Sequence, residues 1–304
     1  MYYCGWDGGG TMTSVCIIDE NNNIISQATF GPININGSSS DIIIQTINDC
    51  INFMSQVPGG LDSCAGLVIG AAGINNTLLV DIINKTIRGS AYSGPYKLVG
   101  DQEIALYGAV SSPGCILIAG TGSVCYGKDE NGTPFQCGGY GYLIDDRGSG
   151  YAIGLDILTA IVHSFDGRGP KTILRKMVFS KLNLEDNIDA LITWTYSPTT
   201  DKHQIASLAP LLSTAAEQND AVAINLSKKT ASDLAELVIT AWKKANMLTG
   251  EIALIGSITN YHPVIKKELI KILKNNIPEA IVVSPKGEPC YGAALLAKEM
   301  EFKK

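Results

Sequence analysis

Two glycine-rich turns between strand-like segments recur in the two halves of this 304-residue chain. The first, Gly8-Gly9-Gly10-Thr11, follows strand-like residues 2–7 and precedes a second such segment at 12–19. The other, Gly120-Thr121-Gly122-Ser123, follows the apolar residues 114–119. Glycine turns leave backbone N–H groups uncovered, and such groups bind anionic oxygens. Each turn alone also fits a plain hairpin, but their repetition predicts two related domains that each carry a phosphate-binding turn.

The predicted elements follow the same order in both halves, β-β-β-α-β-α-β-α, with a helical insertion in the second half. Strands are predicted at residues 2–7, 12–19, 24–30, 65–70, 96–100, 114–119, 124–127, 133–137, 251–256 and 280–284. Helices are predicted at residues 41–56, 77–88, 102–110 and 150–165, across 168–248, and at 262–274 and 289–300. We therefore expect an α/β protein with two duplicated domains around a cleft. The first domain would comprise residues 1–110 joined by the C-terminal helix at about 289–304, and the second residues 111–288, with the boundary near 109–113.

Composition excludes several classes of protein. Apolar residues make up 45% of the chain and charged residues 17%, which is typical of a folded globular protein. The net charge of −6 and the lack of a basic stripe argue against a nucleic-acid partner. No apolar run reaches the roughly 20 residues of a membrane helix. The N-terminus lacks the features of a secretory signal, so we expect a cytoplasmic protein whose eight cysteines are reduced.

Two aspartates at strand ends are candidates for chemistry. Asp7 directly precedes the first glycine turn, where a carboxylate can hold a hydrated Mg²⁺ that bridges phosphates. Asp101 follows the strand at 96–100 and precedes a helix. Two interpretations of Asp101 stay open, a helix N-cap and a general base that acts on a substrate hydroxyl. Both roles are compatible with the same position.

A glycine-rich segment at 137–150 predicts a loop that wraps a polar ligand. It runs from Cys137-Gly138-Gly139-Tyr140-Gly141 to Asp145-Asp146-Arg147-Gly148-Ser149-Gly150. The alternative is a surface loop that ends in an Asp or Ser helix cap. Its glycine spacing does not fit a dinucleotide-binding fingerprint. The three histidines, His163, His203 and His262, lie outside any metal-ligand spacing and are interpreted as structural or surface residues.

Together, the two turns and the 137–150 segment resemble the BadF/BadG/BcrA/BcrD ATPase family, and most closely its branch of N-acetylglucosamine and N-acetylmuramic acid kinases. The resemblance extends from Gly5 to residues 292–297. It implies the actin-like fold, which is ribonuclease H-like and of the hexokinase type. It also implies ATP and Mg²⁺ as cofactors, an amino sugar phosphorylated at its C6 hydroxyl, and the homodimers that this family often forms.

The resemblance also implies residue roles. Asp101 would take the proton from the sugar hydroxyl, and Asp7 would lie near Mg²⁺. The turns Gly8-Gly9-Gly10-Thr11 and Gly120-Thr121-Gly122-Ser123 would hold phosphates, and Gly256 and Ser257 would lie beside adenosine. The residues implied in sugar binding are Asn34, Ala72, Gly73, Asp101, Thr121, Gly138, Gly139 and Asp146.

Three residues depart from the family pattern. Met12 stands where a basic residue is frequent, and Arg147 stands where a glutamate is usual. Val124 replaces a sugar-contacting asparagine, a change that would admit a bulkier substituent such as the lactyl ether of N-acetylmuramic acid.

Other interpretations remain within and beyond the kinase branch. One is a glucosamine kinase, and another is an ATP-driven activator of a radical acyl-CoA dehydratase that shares a [4Fe–4S] cluster across a dimer. Cys115 and Cys137 are the candidate cluster ligands, but their sequence contexts do not match. A non-catalytic sugar sensor is disfavoured because no helix-turn-helix domain is attached.

Overall fold

The computed structural model describes residues 1–35, 37–110 and 113–300. The chain divides into two compact units, unit 1 with Met1–Ser111 and Ser284–Lys304, and unit 2 with Ser112–Val283. The expected boundary near 109–113 and the expected helix end at 304 include residues 111–112 and 301–304, which lie outside the described residues. The assignment of the sugar to the first domain and of the nucleotide to the second stays a prediction.

Unit 1 is built on a mixed five-stranded sheet. Its strands are β1 (Tyr2–Gly8), β2 (Thr13–Ile18), β3 (Ile24–Phe30), β4 (Cys64–Ala71) and β5 (Tyr96–Gly100), in the order β3-β2-β1-β4-β5. The first three strands pair antiparallel, whereas β4 is parallel to both β1 and β5. The turn at Asn22 uses a positive φ, as the run of asparagines predicts.

Helices cover both faces of this sheet. They are α1 (Ser40–Ser55), α2 (Thr77–Arg88) and α3 (Asp101–Ala109), together with a 3₁₀ turn at Leu61–Ser63 and a C-terminal helix at Pro289–Glu299. Alternate residues of β1 and β2, including Cys4, Trp6 and Val15, pack in the same core as residues of α1 and α2. The C-terminal helix covers the opposite face together with α3. Pro289 occupies its first turn, as predicted.

Unit 2 repeats the sheet of unit 1. Its strands are β6 (Gly114–Ala119), β7 (Ser123–Lys128), β8 (Pro134–Gly138), β9 (Gly250–Ile255) and β10 (Ala280–Val283), in the order β10-β9-β6-β7-β8. Strand β7 pairs antiparallel with both β6 and β8, whereas β9 is parallel to both β6 and β10. The shared topology confirms the predicted α/β fold with duplicated domains.

The helical insertion differs from its prediction in detail. Its helices are α4 (Gly150–Asp166), α5 (Leu174–Leu182), α6 (Ile188–Thr195), α7 (Lys202–Ala206), α8 (Ala209–Glu217) and α9 (Ala221–Lys244), followed after β9 by α10 (Ser257–Tyr261) and α11 (Pro263–Asn276). The C-terminal helix is accordingly α12. The predicted stretch 168–248 is thus five helices, with Asn183 and Asn219 at positive φ where α5 and α8 end. Leu248 lies beyond α9 and is 70% exposed, although its spacing had placed it on the helix face. Among the described residues, no helix is long and apolar enough to cross a bilayer.

A close approach between α3 and α12 depends on glycine. A Cβ added at Gly292 would overlap the carbonyl oxygen of Ile104 and the backbone nitrogen of Gly108. We expect Gly292→Ala to lower the free energy of unfolding of unit 1 by about 3 kcal/mol, because backbone atoms have no rotamer by which to yield. Gly100→Ala is the control, since nothing lies within 4 Å of its added Cβ and its φ is −69°. Denaturant unfolding that gave equal stabilities for the two variants would contradict this account of the packing.

Candidate active site

In unit 1, the predicted site residues lie at the carboxyl ends of the parallel strands. Gly8 of β1 is in register with Ala71 of β4, which is in turn in register with Gly100 of β5. Asp7, the Ala72–Gly73 segment and Asp101 therefore share one edge of the sheet. This edge is where ligands bind in open α/β sheets.

The first glycine turn is held against this edge by backbone hydrogen bonds. The Gly9 N–H donates to the Met12 carbonyl at 2.9 Å, which closes the turn. The Gly8 carbonyl accepts from the Ala72 N–H at 3.3 Å, and the Gly9 carbonyl accepts from the Ile33 N–H at 3.2 Å. Asn34 follows directly, and its Nδ2 atom would be 3.5 Å from a Cβ added at Gly10. The structure thus brings the turn together with two of the predicted sugar-binding positions.

The Asp7 carboxyl group lies near two other acidic side chains at this edge. Burial raises the pKa of Asp7 to about 6, and the negative charges of Asp101 and Glu288 add to the effect. Asp101 is exposed. Its interpretation as an N-cap is wrong, because Gly100 is the cap residue and the helix begins at Asp101 itself. The Asp101 carboxylate accepts from the Gln102 N–H at 3.0 Å.

Glu288 was missed by the sequence analysis. It is the cap residue of α12, and it lines a cavity of about 300 Å³ together with Asp7, Gln27 and Cys290. An acidic residue just before a proline that begins a helix is the signal available in the sequence. Its proximity to Asp7 depends on the return of α12 to unit 1, which local sequence does not reveal.

In unit 2, the second glycine turn and the 137–150 loop form one hydrogen-bonded assembly. The Gly120 carbonyl accepts from the Gly150 N–H at 2.7 Å, and the Ser123 hydroxyl donates to the Arg147 carbonyl at 2.7 Å. Ser149 caps α4 through the Ala152 N–H, so the loop also ends in the helix cap that its alternative interpretation predicts. Two segments identified separately in the sequence therefore meet in space.

Asp146 is the buried acid of this assembly. Its side chain packs beside the second turn, and the residue is 8% exposed with a φ of 57°. Burial raises its pKa, while hydrogen bonds from the backbone of Ser123 and Gly141 oppose that shift. A Cβ added at Gly122 would lie 2.9 Å from Asp146 Oδ2. Asp145 instead accepts from the Tyr140 N–H at 3.2 Å.

The glycines of the loop pack on strand β7 and helix α9. Gly138 and Gly139 both have positive φ, which favours glycine. A Cβ at Gly139 would be 2.9 Å from the Val124 side chain, and one at Gly138 would be 2.8 Å from Leu237. Val124, a departure from the family pattern, thus supports the backbone of the predicted sugar-binding loop.

A pocket of about 240 Å³ in unit 2 borders the second turn. It is lined by Gly120 and Thr121, by Ser257 from the second predicted nucleotide turn, and by Tyr261 and His262. Gly256 has a φ of 103° and lies against the backbone of Ala119, so the two turns are neighbours. His262 is 3% exposed and burial lowers its pKa, which keeps the imidazole neutral. The structural role expected for it is compatible with this burial.

The cysteines considered as iron–sulfur ligands do not belong to a cluster of metal-binding side chains in the part of the chain that the structure describes. Among the described residues, no group of three or more His, Cys, Asp or Glu side chains could hold a metal ion. Cys115 is buried in the core of unit 2 together with Cys125. Cys115 is therefore poorly placed as an external cluster ligand.

Known proteins resemble the chain over nearly its whole length. The model of the BadF/BadG/BcrA/BcrD ATPase family matches residues 4–297. The N-acetylmuramic acid/N-acetylglucosamine kinase of Clostridium acetobutylicum is 33% identical over 301 residues, which are 98% of each chain.

Solved structures share the fold. A Chromobacterium violaceum protein proposed to be an N-acetylglucosamine kinase aligns with a TM-score of 0.72 at 22% identity, over 97% of this chain and 98% of that one. A ROK family glucokinase from Streptomyces griseus, in complex with glucose and AMPPNP, aligns with a TM-score of 0.55 at 16% identity, over 99% and 100% of the two chains. The fold of this chain is therefore shared with these two structures.

Proposed function

The chain belongs to the BadF/BadG/BcrA/BcrD ATPase family, and from this we propose that it is an ATP-dependent kinase of an amino sugar. The acceptor would be the C6 hydroxyl of N-acetylglucosamine, N-acetylmuramic acid or both. The observation that supports the proposal is that Asp7 and the first glycine turn lie at the carboxyl end of β1, and Asp101 at the carboxyl end of β5, with the parallel strand β4 between them. Phosphoryl transfer requires mainly positioning, to which this edge is suited, and charge neutralisation, which backbone N–H groups and a bound Mg²⁺ would supply.

The turn residues would hold the phosphates. These residues are Gly8-Gly9-Gly10-Thr11 in unit 1 and Gly120-Thr121-Gly122-Ser123 in unit 2. In the second turn, nothing lies within 4 Å of a Cβ added at Gly120. The 240 Å³ pocket beside the second turn, with Ser257 in its lining, is suited to the nucleoside. Backbone N–H donors at fixed positions stabilise phosphate charge without reorganisation.

Asp7 fits a role at Mg²⁺. Burial, Asp101 and Glu288 all act against the ionised form of its carboxyl group, so a bound cation would stabilise a charge that the protein alone disfavours. Mg²⁺ neutralises phosphate charge during transfer when it is bound. The small number of nearby carboxylates agrees with the coordination of Mg²⁺ in proteins, where the ion usually keeps several water ligands.

Asp101 would act as the general base. It is exposed at the start of α3 and is free to accept a proton from a sugar hydroxyl. The sugar would be oriented by Asn34, Ala72 and Gly73 in unit 1, and by Thr121, Gly138, Gly139 and Asp146 in unit 2. The hydrogen bonds that fix the Asp146 carboxylate support its use as an acceptor for sugar hydroxyls.

The Asp146 carboxylate gives a test of sugar binding. We expect Gly122→Ala to raise the KM for the sugar about tenfold, because the new Cβ would displace Asp146 Oδ2. Asp146→Asn should raise the same constant, since an amide loses one acceptor position. Gly132→Asn is the control, because nothing lies within 4 Å of a Cβ added at this turn glycine and asparagine tolerates its φ of 76°. If steady-state kinetics showed an unchanged KM for the sugar in Gly122→Ala, a role of Asp146 in sugar binding would be excluded.

A coupled assay of ADP release tests the proposed function. The acceptors are N-acetylglucosamine, N-acetylmuramic acid, glucosamine and glucose, each supplied with ATP and Mg²⁺. We expect the highest kcat/KM for one or both N-acetylated sugars. A preference for glucosamine would favour the glucosamine kinase alternative, and ADP release that is independent of every sugar would contradict the proposal.

A further inference from the structure

Two cysteines of unit 1 lie together although they come from opposite ends of the chain. Cys16 on β2 has no exposed surface, Cys290 in the first turn of α12 is 4% exposed, and both belong to one buried cluster with Ile18 and Ala294. Cys16 is in register with Gly5 of β1, and a Cβ added at Gly5 would overlap the carbonyl oxygen of Cys290, so the backbones of the two cysteines lie close together. The interaction between the two thiols lowers the pKa of Cys16 and raises that of Cys290. Both are free thiols. Cysteines whose Cα atoms lie within about 7 Å of each other can form a disulfide bond with little backbone movement.

One member of the pair, Cys290, borders a cavity. Cys290 lines the 300 Å³ cavity that also contains Asp7 and Glu288 in its walls. Such a volume is several times that of a water molecule, which occupies about 30 Å³ in the liquid. A molecule as small as a peroxide can therefore approach Cys290 while the protein stays folded.

We propose that Cys16 and Cys290 are an oxidative modification site, at which a peroxide converts the two thiols into a reversible disulfide bond. The peroxide first oxidises one thiol to a sulfenic acid, and one oxygen leaves as water. The other thiol then attacks the sulfenic sulfur, which forms the S–S bond and releases a second water. The two thiols lose two protons and two electrons, and the O–O bond of the peroxide accepts them. A dithiol reductant reverses the modification by exchange.

The disulfide would join β2 to α12 beside the cavity that Asp7 lines. It would fix the start of α12, where Glu288 is the cap residue, against the face of the sheet that carries Asp7. The inference concerns a covalent modification, so its test does not depend on the proposed kinase activity.

The chain contains a matched control pair. Cys115 on β6 and Cys125 on β7 also have thiols that interact with each other, and neither has any exposed surface. Both are enclosed in the hydrophobic core of unit 2. If contact between thiols were sufficient for oxidation, both pairs would react equally. If access through a cavity is also needed, Cys16 and Cys290 should react first.

The experiment treats the folded, full-length protein with hydrogen peroxide, then blocks the remaining thiols with iodoacetamide in denaturant. Digestion and mass spectrometry without reductant follow. We expect a peptide linked through Cys16 and Cys290, lighter by two hydrogens than its two free peptides together. Dithiothreitol should abolish it, while Cys115 and Cys125 should be recovered as alkylated thiols.

Two results would overturn the inference. One is recovery of Cys16 and Cys290 as alkylated thiols after treatment that oxidises other cysteines. The other is a Cys115–Cys125 link that forms at least as fast. The variant Cys290→Ser serves as a second check, and the Cys16 thiol in it should gain no disulfide partner. Because the mapping in the wild-type protein is decisive by itself, a variant that folds poorly would not obscure the outcome.

Discussion

Asp101→Asn is expected to lower kcat by about 10³-fold while the Kd for ATP changes less than threefold. The amide keeps the shape of the side chain but cannot accept the proton of the sugar hydroxyl. Since Asp101 is exposed, the substitution should cost little stability. Steady-state kinetics and nucleotide-binding calorimetry on the same preparation separate the loss of chemistry from a loss of binding.

A matched control for Asp101 lies at the other edge of the same sheet. Asp62 is also an exposed acid of unit 1, but it precedes the amino end of β4, whereas Asp101 follows the carboxyl end of β5. Asp62→Asn should therefore keep wild-type kcat. Normal turnover by Asp101→Asn would exclude Asp101 as the general base, and an equal loss in both variants would show a nonspecific effect of removing charge.

Asp7→Asn is expected to abolish phosphoryl transfer and at the same time to stabilise the metal-free protein. Burial and like charges raise the pKa of Asp7 from 3.8 to about 6, so the ionised carboxylate destabilises the folded state by about 3 kcal/mol at neutral pH. The amide has no charge and avoids this penalty. At pH 7.5 in EDTA, we expect the Tm of the variant to exceed that of the wild type by roughly 5 °C.

The contribution of Asp7 to folding stability should change with pH in a defined direction. Between pH 3.8 and about 6 the folded state binds more protons at Asp7 than the unfolded state does, so this group lowers stability as the pH rises through that window. Below the window both states are protonated and the penalty is absent. The difference in Tm between Asp7→Asn and wild type should thus be large at pH 7.5 and small near pH 4. A constant difference across this range would contradict the assigned pKa.

Short-range sequence features were sufficient to predict the positions of the strands. Alternating or continuous apolar runs predicted all ten described strands, and glycines at strand ends predicted the two turns. The separate helices of the insertion were harder to predict from the sequence. Asn183 and Asn219 lie where two of these helices end, in a left-handed conformation that apolar periodicity does not detect. Asparagine tolerates that conformation, but it occurs in helices as well.

Site residues were predictable from the sequence only where the resemblance to the family, or a position at the end of a strand, identified them. Asp7 and Asp101 follow from their positions at strand ends, although sequence alone did not decide between a cap and a base for Asp101. Glu288 and the pairing of Cys16 with Cys290 were missed. Both depend on the return of α12 to the sheet of unit 1 after the whole of unit 2, a contact of very long sequence separation.

The most direct test of the central claim is the structure of the product formed from ATP, Mg²⁺ and N-acetylglucosamine or N-acetylmuramic acid. Phosphorus and proton NMR locate the new phosphate, and the 6-deoxy analogue of N-acetylglucosamine serves as the acceptor control. The account predicts a phosphate ester at C6 and no transfer to the 6-deoxy sugar. Phosphate at C1, or ATP hydrolysis with no sugar phosphate, would contradict it.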